Sequence, residues 1–375
     1  MNRNESLYSL AHAGVVDLAI VGGGATGLGV ALDAALRGYS VALLESHDFA
    51  GGTSSRSTKL LHGGVRYLAQ GNVSLVREAL HERQSILAIA PHLAAPLSFV
   101  MPAYAWWKLP FYTIGLKLYD LLAGRAGLGA TEWLSRRETA QALPGVQVRG
   151  LHGGVKYWDA QFDDARLALA IARTARAAGA NVLNHVKVAN LQALEGQSDG
   201  AKWALDWQNQ KGVEQGVLRA KCVVNAAGVW VDDVLAKVKG HVPTRRMVTP
   251  SQGVHLVVDR RFLAGKSALL VPKTTDGRVL FAVPWLGSLI LGTTDTVRDD
   301  APREPLPLEE EIDFILREAA HVLADAPQRA DVRSVWVGLR PLVSPSSQKA
   351  TRSISREHTT VVSDQGLVTV TGGKW

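Results

Sequence analysis

Cysteine is almost absent from this chain of 375 residues. Cys222 stands alone, which excludes a disulfide framework and a multi-cysteine metal cluster and suits a reducing cytoplasm. Metal-ligand spacings are absent too: there is no Cys-x-x-Cys and no His-x-x-x-His with a glutamate, and no carboxylate cluster argues for metal, so no metal is predicted. Lys+Arg 41 against Asp+Glu 34 gives a net charge of +7, yet no basic run exceeds two residues. That argues against nucleic acid as a partner and suits anionic small molecules or an acidic membrane surface. A spanning segment is also missing. The stretch from Gln84 to Trp107 lacks charge but carries Pro91, Pro96 and Pro102, which would break a membrane helix, and reads as a helix end, a loop and a buried strand. Met1 to Gly14 has no apolar core and is not a secretory signal. What is present is ordinary globular composition, 47% hydrophobic and 20% charged, in a chain long enough for two domains.

The first strong pattern begins at Val15. Val15 to Val21 is an apolar run broken only by Asp17, as in a buried parallel strand. It enters Gly22-Gly23-Gly24-Ala25-Thr26-Gly27, then a helical stretch from Leu28 to Arg37 stopped by Gly38. Ser40 to Leu44 reads as a second strand ending at Glu45. Gly22 permits the tight turn, Gly24 lets the backbone approach a pyrophosphate, and Gly27 lets helix and strand pack closely. The free N–H groups at the helix start attract phosphate. Glu45 is placed to accept from ribose hydroxyls. The complete strand–turn–helix–strand–acid unit predicts dinucleotide binding.

The segment after Glu45 separates the cofactors. Ala50 to Tyr67 is rich in glycine and hydroxyl side chains, where a nicotinamide enzyme would continue with another strand and helix. The stretch Ile20 to Gly38 resembles the N-terminal signature of the FAD-dependent glycerol-3-phosphate dehydrogenases. Thr53-Ser54-Ser55 followed by Lys59-Leu60-Leu61-His62-Gly63-Gly64-Val65-Arg66-Tyr67 is similar to that family's flavin loop. Further matches follow in the family's order: Asp163 to Leu167, Asn225 to Trp230, Gly253-Val254-His255, Gly292 to Asp295, Gly338 to Leu342, and Gly372-Gly373-Lys374. Leu28 departs from the family's small residue. The chain stops at Trp375, where the family continues into a Thr-Thr-Tyr-Arg-like helix start and a helical C-terminal domain, so that domain is expected to be absent.

The resemblance implies an α/β fold. A Rossmann-like, doubly wound, mostly parallel sheet binds FAD, and a second α+β domain on an antiparallel sheet takes the substrate. The drawn boundaries are 14–85, 150–240 and 332–375 for the discontinuous FAD-binding domain, and 86–149 with 241–331 for the substrate or cap domain. Met101 to Val148 reads as a helical, amphipathic insertion, Asp163 to Ala178 as a helix, and Leu308 to Leu323 as a helix with an acidic start. Trp106 to Leu122, with Lys108 and Lys117, reads either as a packed helix or as one lying on a membrane surface. Leu61 to Tyr67 recurs as Leu151 to Tyr157, but the flanks differ and no repeating unit is implied.

Carried over residue by residue, the resemblance assigns FAD to Gly22, Gly23, Gly24, Ala25, Thr26, Gly27 and Glu45. In the loop it assigns Thr53, Ser54, Ser55, Lys59, Leu61, His62 and Gly63. Val186 would offer its backbone to adenine, and Ala227, Gly228 and Gly372 would face the cofactor. The implied reaction is oxidation of glycerol 3-phosphate to dihydroxyacetone phosphate, with electrons passing to a quinone. The implied setting is the cytoplasmic face of the cell membrane, as a peripheral protein, with a homodimer among the expectations. Arg66, Arg340, Arg356 and Lys374 would hold the phosphate with Tyr67 nearby, Arg352 being an alternative to Arg356. An arginine fork matches two phosphate oxygens. His62 is the first candidate for the base and His255 the second, since an imidazole titrates near pH 6.5. Two other readings stay open: an oxidase of an amine or 2-hydroxy acid, and a flavoprotein without turnover.

Overall fold

The computed structural model describes residues 2–68, 72–240, 245–344 and 358–373, apart from the side chains of Arg66 and Tyr67. Two sheets organise them. The first runs Asn181–Leu183, Val41–Leu44, Val15–Val21, Gln215–Asn225, Val368–Gly372, His358–Val362. The first five of these are parallel and His358–Val362 closes the edge antiparallel. Trp203–Asn209 and Val186–Ala193 extend from Gln215–Asn225 as an antiparallel meander. The apolar run at Val15–Val21 is thus central, which is why it alternates so little.

Both faces of this sheet are covered. Helices Ala25–Leu36 and Asp164–Ala177 bury Leu28, Ala31, Ala168 and Ala172 against Ile20, Leu43 and Val224. Their alanines allow the two helices to approach closely. On the other face Trp203 and Trp207 pack with Leu7 and Leu10 of helix Arg3–Ala11. That helix has no strong apolar stripe in the sequence. It is set by a capping box in which Asn2 and Glu5 each accept the other's backbone N–H. Asp163 caps the second helix, accepting from Arg166 N–H at 3.1 Å.

The second sheet runs Thr296–Val297, Val248–Asp259, Ser288–Gly292, Leu280–Trp285, Ala268–Val271, Ala94–Ala103, Gly153–Phe162, Leu60–Leu61. Ser334–Val343 adds to Val248–Asp259, and Glu132–Ser135 to Gly153–Phe162. All pairs are antiparallel except Ala268–Val271 with Ala94–Ala103. Pro96 and Pro102 sit in that strand without cost to this pairing, because only Phe99 and Val100 meet Ala268–Val271. Leu286 and Gly287 both have positive φ, so a tight two-residue turn joins Leu280–Trp285 to Ser288–Gly292.

Sheet membership departs from the boundaries drawn on the sequence. Gly153–Phe162 and Ser334–Val343 fall within the segments given to the first domain, yet their hydrogen bonds place both in the second sheet. Leu60–Leu61 also crosses over, pairing with Gln161 and Ala160. The two similar heptapeptides therefore differ in structure: one is a short strand, a turn and helix Val65–Leu68, and the other enters strand Gly153–Phe162.

Candidate active site

Strand Val15–Val21 ends where the chain must turn tightly. Gly22 has φ +114°, and a Cβ there would stand 2.5 Å from the Ala226 carbonyl oxygen. A Cβ on Gly27 would stand 2.0 Å from the Gly22 oxygen, so only glycine lets helix Ala25–Leu36 start this close to the strand. Ser54 Oγ accepts the Ala25 N–H at 2.9 Å. Glu45 accepts the Gly23 N–H at 2.7 Å and the His47 N–H at 2.8 Å, which fixes its carboxylate beside the turn.

This turn opens into a cavity of about 1860 Å³ that reaches the second sheet. Of the expected cofactor residues, Gly22, Gly24, Ala25, Thr26, Glu45, Thr53 and Ser54 line it, as do His62, Ala227, Gly228 and Gly372. Others take part differently. Gly23 and Gly27 shape the turn from behind. Lys59 does not face the cavity: its Nζ lies 2.6 Å from Asp164 and donates to the Ser55 carbonyl, stapling the loop to helix Asp164–Ala177. Ser55 thus serves through its backbone. Leu61 is buried in the strand pair with Ala160. Gly63 is a packing requirement, since a Cβ there would meet Tyr119 Oη at 2.2 Å and Leu80 at 2.5 Å. Val186 is fully buried with its N–H given to the Glu45 carbonyl at 2.7 Å, and its neighbours Lys187 and Val188 form the cavity wall instead.

The far end of the cavity gathers cations and aromatic rings. Arg340 donates to the Thr294 carbonyl at 3.1 Å and to Thr293 Oγ1 at 3.0 Å, with Asp295 3.6 Å away. Gly253 makes room for it: a Cβ there would stand 2.4 Å from the guanidinium. Lys273 and Arg278 also line the cavity and were not singled out in the sequence, which offers no motif around them. His62 lies on the wall 6.4 Å from the Phe281 ring. Its turn is held by Asp159, whose carboxylate accepts the Gly63 N–H at 3.2 Å. His255 is buried, stacked on Trp336 and paired with Thr58 Oγ1 at 2.9 Å. Burial, with the Arg340 and Lys59 charges, pushes it down to about 3. It therefore stays neutral near pH 7 and is a weak proton acceptor there. Arg356 and Lys374 lie outside the described residues, as do the side chains of Arg66 and Tyr67.

The chain matches the sequence pattern described as FAD dependent oxidoreductase over residues 17–375. It belongs to the FAD dependent oxidoreductase family. Among its relatives, the mitochondrial glycerol-3-phosphate dehydrogenase of Macaca fascicularis is 44% identical over 386 residues, covering 100% of this chain and 52% of that protein. The corresponding protein of Arabidopsis thaliana is 41% identical and 60% covered. The chain thus spans about half the length of the curated relatives it matches. A glycerol-3-phosphate dehydrogenase of Bacillus halodurans, solved with FAD, superposes with a TM-score of 0.75 at 33% identity, over 99% of this chain and 63% of that one. A glycine oxidase of Geobacillus kaustophilus shares the fold at 22% identity and a TM-score of 0.70, covering 95% and 89%.

FAD is the cofactor of this family, and the residues present fit it. The glycine turn admits only backbone, and the helix N-terminus and Ser54 face the recess with Glu45 beside them. The cavity exceeds the roughly 300–1,000 Å³ of most small-molecule sites, leaving room for a dinucleotide and a second molecule.

Proposed function

We propose that this chain oxidises sn-glycerol 3-phosphate to dihydroxyacetone phosphate. The observation that carries the reading is Arg340, held in the cavity by the Thr294 carbonyl and Thr293 Oγ1, with Lys273 and Arg278, the latter paired with Asp276, also in the lining. A phosphomonoester needs several cations, and a carboxylate substrate needs fewer. The relatives quoted above bear the name of this activity.

Bound FAD, held by the glycine turn, Glu45 and the flavin loop, would supply the acceptor for the hydride of the substrate's C2. The chain's own residues do the remainder. Arg340, with Arg66, Arg356 and Lys374, binds the phosphate and so orients C2. His62 takes the hydroxyl proton on its ring nitrogen. Neutral His255 holds Thr58 in the wall. Phe99, Tyr157 and Phe281 exclude water from the reacting carbon.

The electrons pass onward to a quinone at the cytoplasmic face of the cell membrane. Helix Lys108–Ala123 supports this part of the reading. It exposes Phe111, Ile114, Leu118 and Leu121, with Trp106 and Trp107 just before it. Lys108 and Lys117 flank that face, a combination suited to a lipid interface. Among the described residues, no helix is long and apolar enough to cross a membrane.

The test is anaerobic flavin bleaching. Glycerol 3-phosphate should bleach the FAD-loaded chain, and glycerol or lactate should not. Arg340→Ala should demand at least about tenfold more substrate, the loss of one charge-assisted contact. Bleaching by lactate or glycine but not by the phosphoester would overturn the substrate assignment. Loaded protein that none of them bleaches would indicate a flavoprotein without turnover.

A further inference from the structure

The dinucleotide arm of the cavity contains a cation that neither the glycine turn nor the loop after it provides. Arg303 lies between strand Thr296–Val297 and helix Glu309–Ala320, in the half of the chain built on the second sheet. It nevertheless lines the same recess as Gly24, Thr26 and Glu45. Its guanidinium carbon sits 3.7 Å from the centre of the Trp230 ring. That ring is fixed in turn: its N–H donates to the Ala301 carbonyl at 2.7 Å. Its edge crowds the flavin loop so closely that a Cβ on Gly52 would stand 2.9 Å away.

The next residue ties down the other side. Glu304 accepts from Arg56 of the flavin loop with both carboxylate oxygens, each at 2.8 Å. Segment 301–304 therefore meets the flavin loop through the Glu304–Arg56 pair and, by way of Trp230, at Gly52. The Arg303 side chain itself makes no hydrogen bond or ion pair with any described residue. Its guanidinium N–H donors are left for solvent or for a ligand of the cavity. Lys187 and Lys237 line the cavity with Arg303, and Glu45, Asp48 and Asp233 are the carboxylates of the same lining. A dinucleotide brings two negative charges on its diphosphate.

We propose that Arg303 is a cofactor-holding residue: its fork engages the diphosphate arm of FAD from the opposite half of the chain, and segment 301–304 straps the dinucleotide in place. The inference rests on the FAD assignment and not on the identity of the substrate. Stacking on Trp230 presets the plane of the fork, which lowers the ordering cost of engaging an anion.

The test uses the cofactor-free chain, titrated with FAD and separately with ADP at low and high salt, for wild type, Arg303→Ala and Arg303→Lys. Arg303→Ala should weaken both FAD and ADP about tenfold, the fold-change of one charge-assisted contact at a partly exposed site. The dependence of binding on salt should become shallower. Arg303→Lys should lose less, because charge remains while the planar fork is lost. The melting temperature without cofactor should fall only slightly, through loss of the stack on Trp230, since no protein group accepts a hydrogen bond from this side chain. Wild-type and Arg303→Ala chains that bind FAD and ADP equally would overturn the inference alone. A wild-type chain that binds neither ligand would overturn the FAD assignment with it.

Discussion

His62 and His255 carry the same imidazole into different surroundings, and the difference decides their roles. Both line the cavity, but His255 is buried against Trp336 and Thr58 with the cations Arg340 and Lys59 nearby. The sequence could nominate both, because a residue type and a flanking glycine are visible in it. It could not rank them, because desolvation comes from residues more than 80 positions distant in the chain, such as Trp336 and Arg340. The burial of His255 has a consequence for pH. Its folded pKa is pushed down to about 3, while an unfolded imidazole titrates near 6.5. The unfolded chain takes up this proton first as pH falls, so the stabilisation is complete above about pH 6.5 and is lost progressively toward pH 3. The melting temperature should therefore fall between about pH 6.5 and 4.5, and His255→Gln should fall less steeply over the same range. Thermal denaturation followed by circular dichroism measures this, and parallel slopes would remove His255 as the cause.

Elements meet at Asp159. This residue of strand Gly153–Phe162 is buried, and its carboxylate accepts from Arg83 of helix Val73–Ile89 at 2.6 Å. It accepts also from Tyr119 of helix Lys108–Ala123 at 3.0 Å and from the Gly63 N–H beside His62 at 3.2 Å. One carboxylate thus joins a strand, two helices and the flavin loop. Burial lifts the Asp159 carboxyl above the usual range, and the Arg83 guanidinium opposes the rise. Tyr119 is pushed well up by burial and by that carboxylate, so it remains a donor. Asp159→Ala would leave Arg83 as an unpaired buried charge and should cost about 3–5 kcal/mol. Tyr119→Phe removes only one donor and should cost about 1–3 kcal/mol. Denaturant unfolding gives both values. A larger loss for Tyr119→Phe than for Asp159→Ala would show that the carboxylate is not the centre of the network. Nothing in the sequence around Arg83 marks it as a buried residue. Only the packing of three elements turns it inward.

On the scale of the molecule, the cavity lies where the two sheets face each other, and the helix that braces the flavin loop through Tyr119 presents its other side to solvent. Trp107, Phe111, Ile114, Leu118 and Leu121 are exposed, and Phe111, Ile114 and Leu118 also line the cavity, so this apolar face borders the cavity itself. If it lies on lipid, the chain should co-sediment with vesicles containing anionic lipid. The double substitution Ile114→Ser with Leu118→Ser should reduce the bound fraction at least about tenfold, as expected for two buried aliphatic side chains. Unchanged sedimentation would remove this face from the membrane reading.

The nucleotide-binding half was written locally. An apolar run, a glycine turn, a helix and a terminal acid lie within 31 residues, Val15 to Glu45, and short-range sterics leave that string few other structures. The loop from Thr53 to Gly63 is generic by itself and pointed to flavin through its resemblance to the family's loop. The rest depended on pairings distant in sequence. Gly153–Phe162 and Ser334–Val343 joined the second sheet because their partner strands are there, a choice that no local pattern encodes. Lys59, Leu61 and Gly63 turned out to be packing and stapling residues, and Arg303 reached the cofactor arm from the other half of the chain. Backbone conformation over a few residues follows from neighbouring side chains, whereas burial and charge at a point in space are summed over residues that only the folded chain brings together.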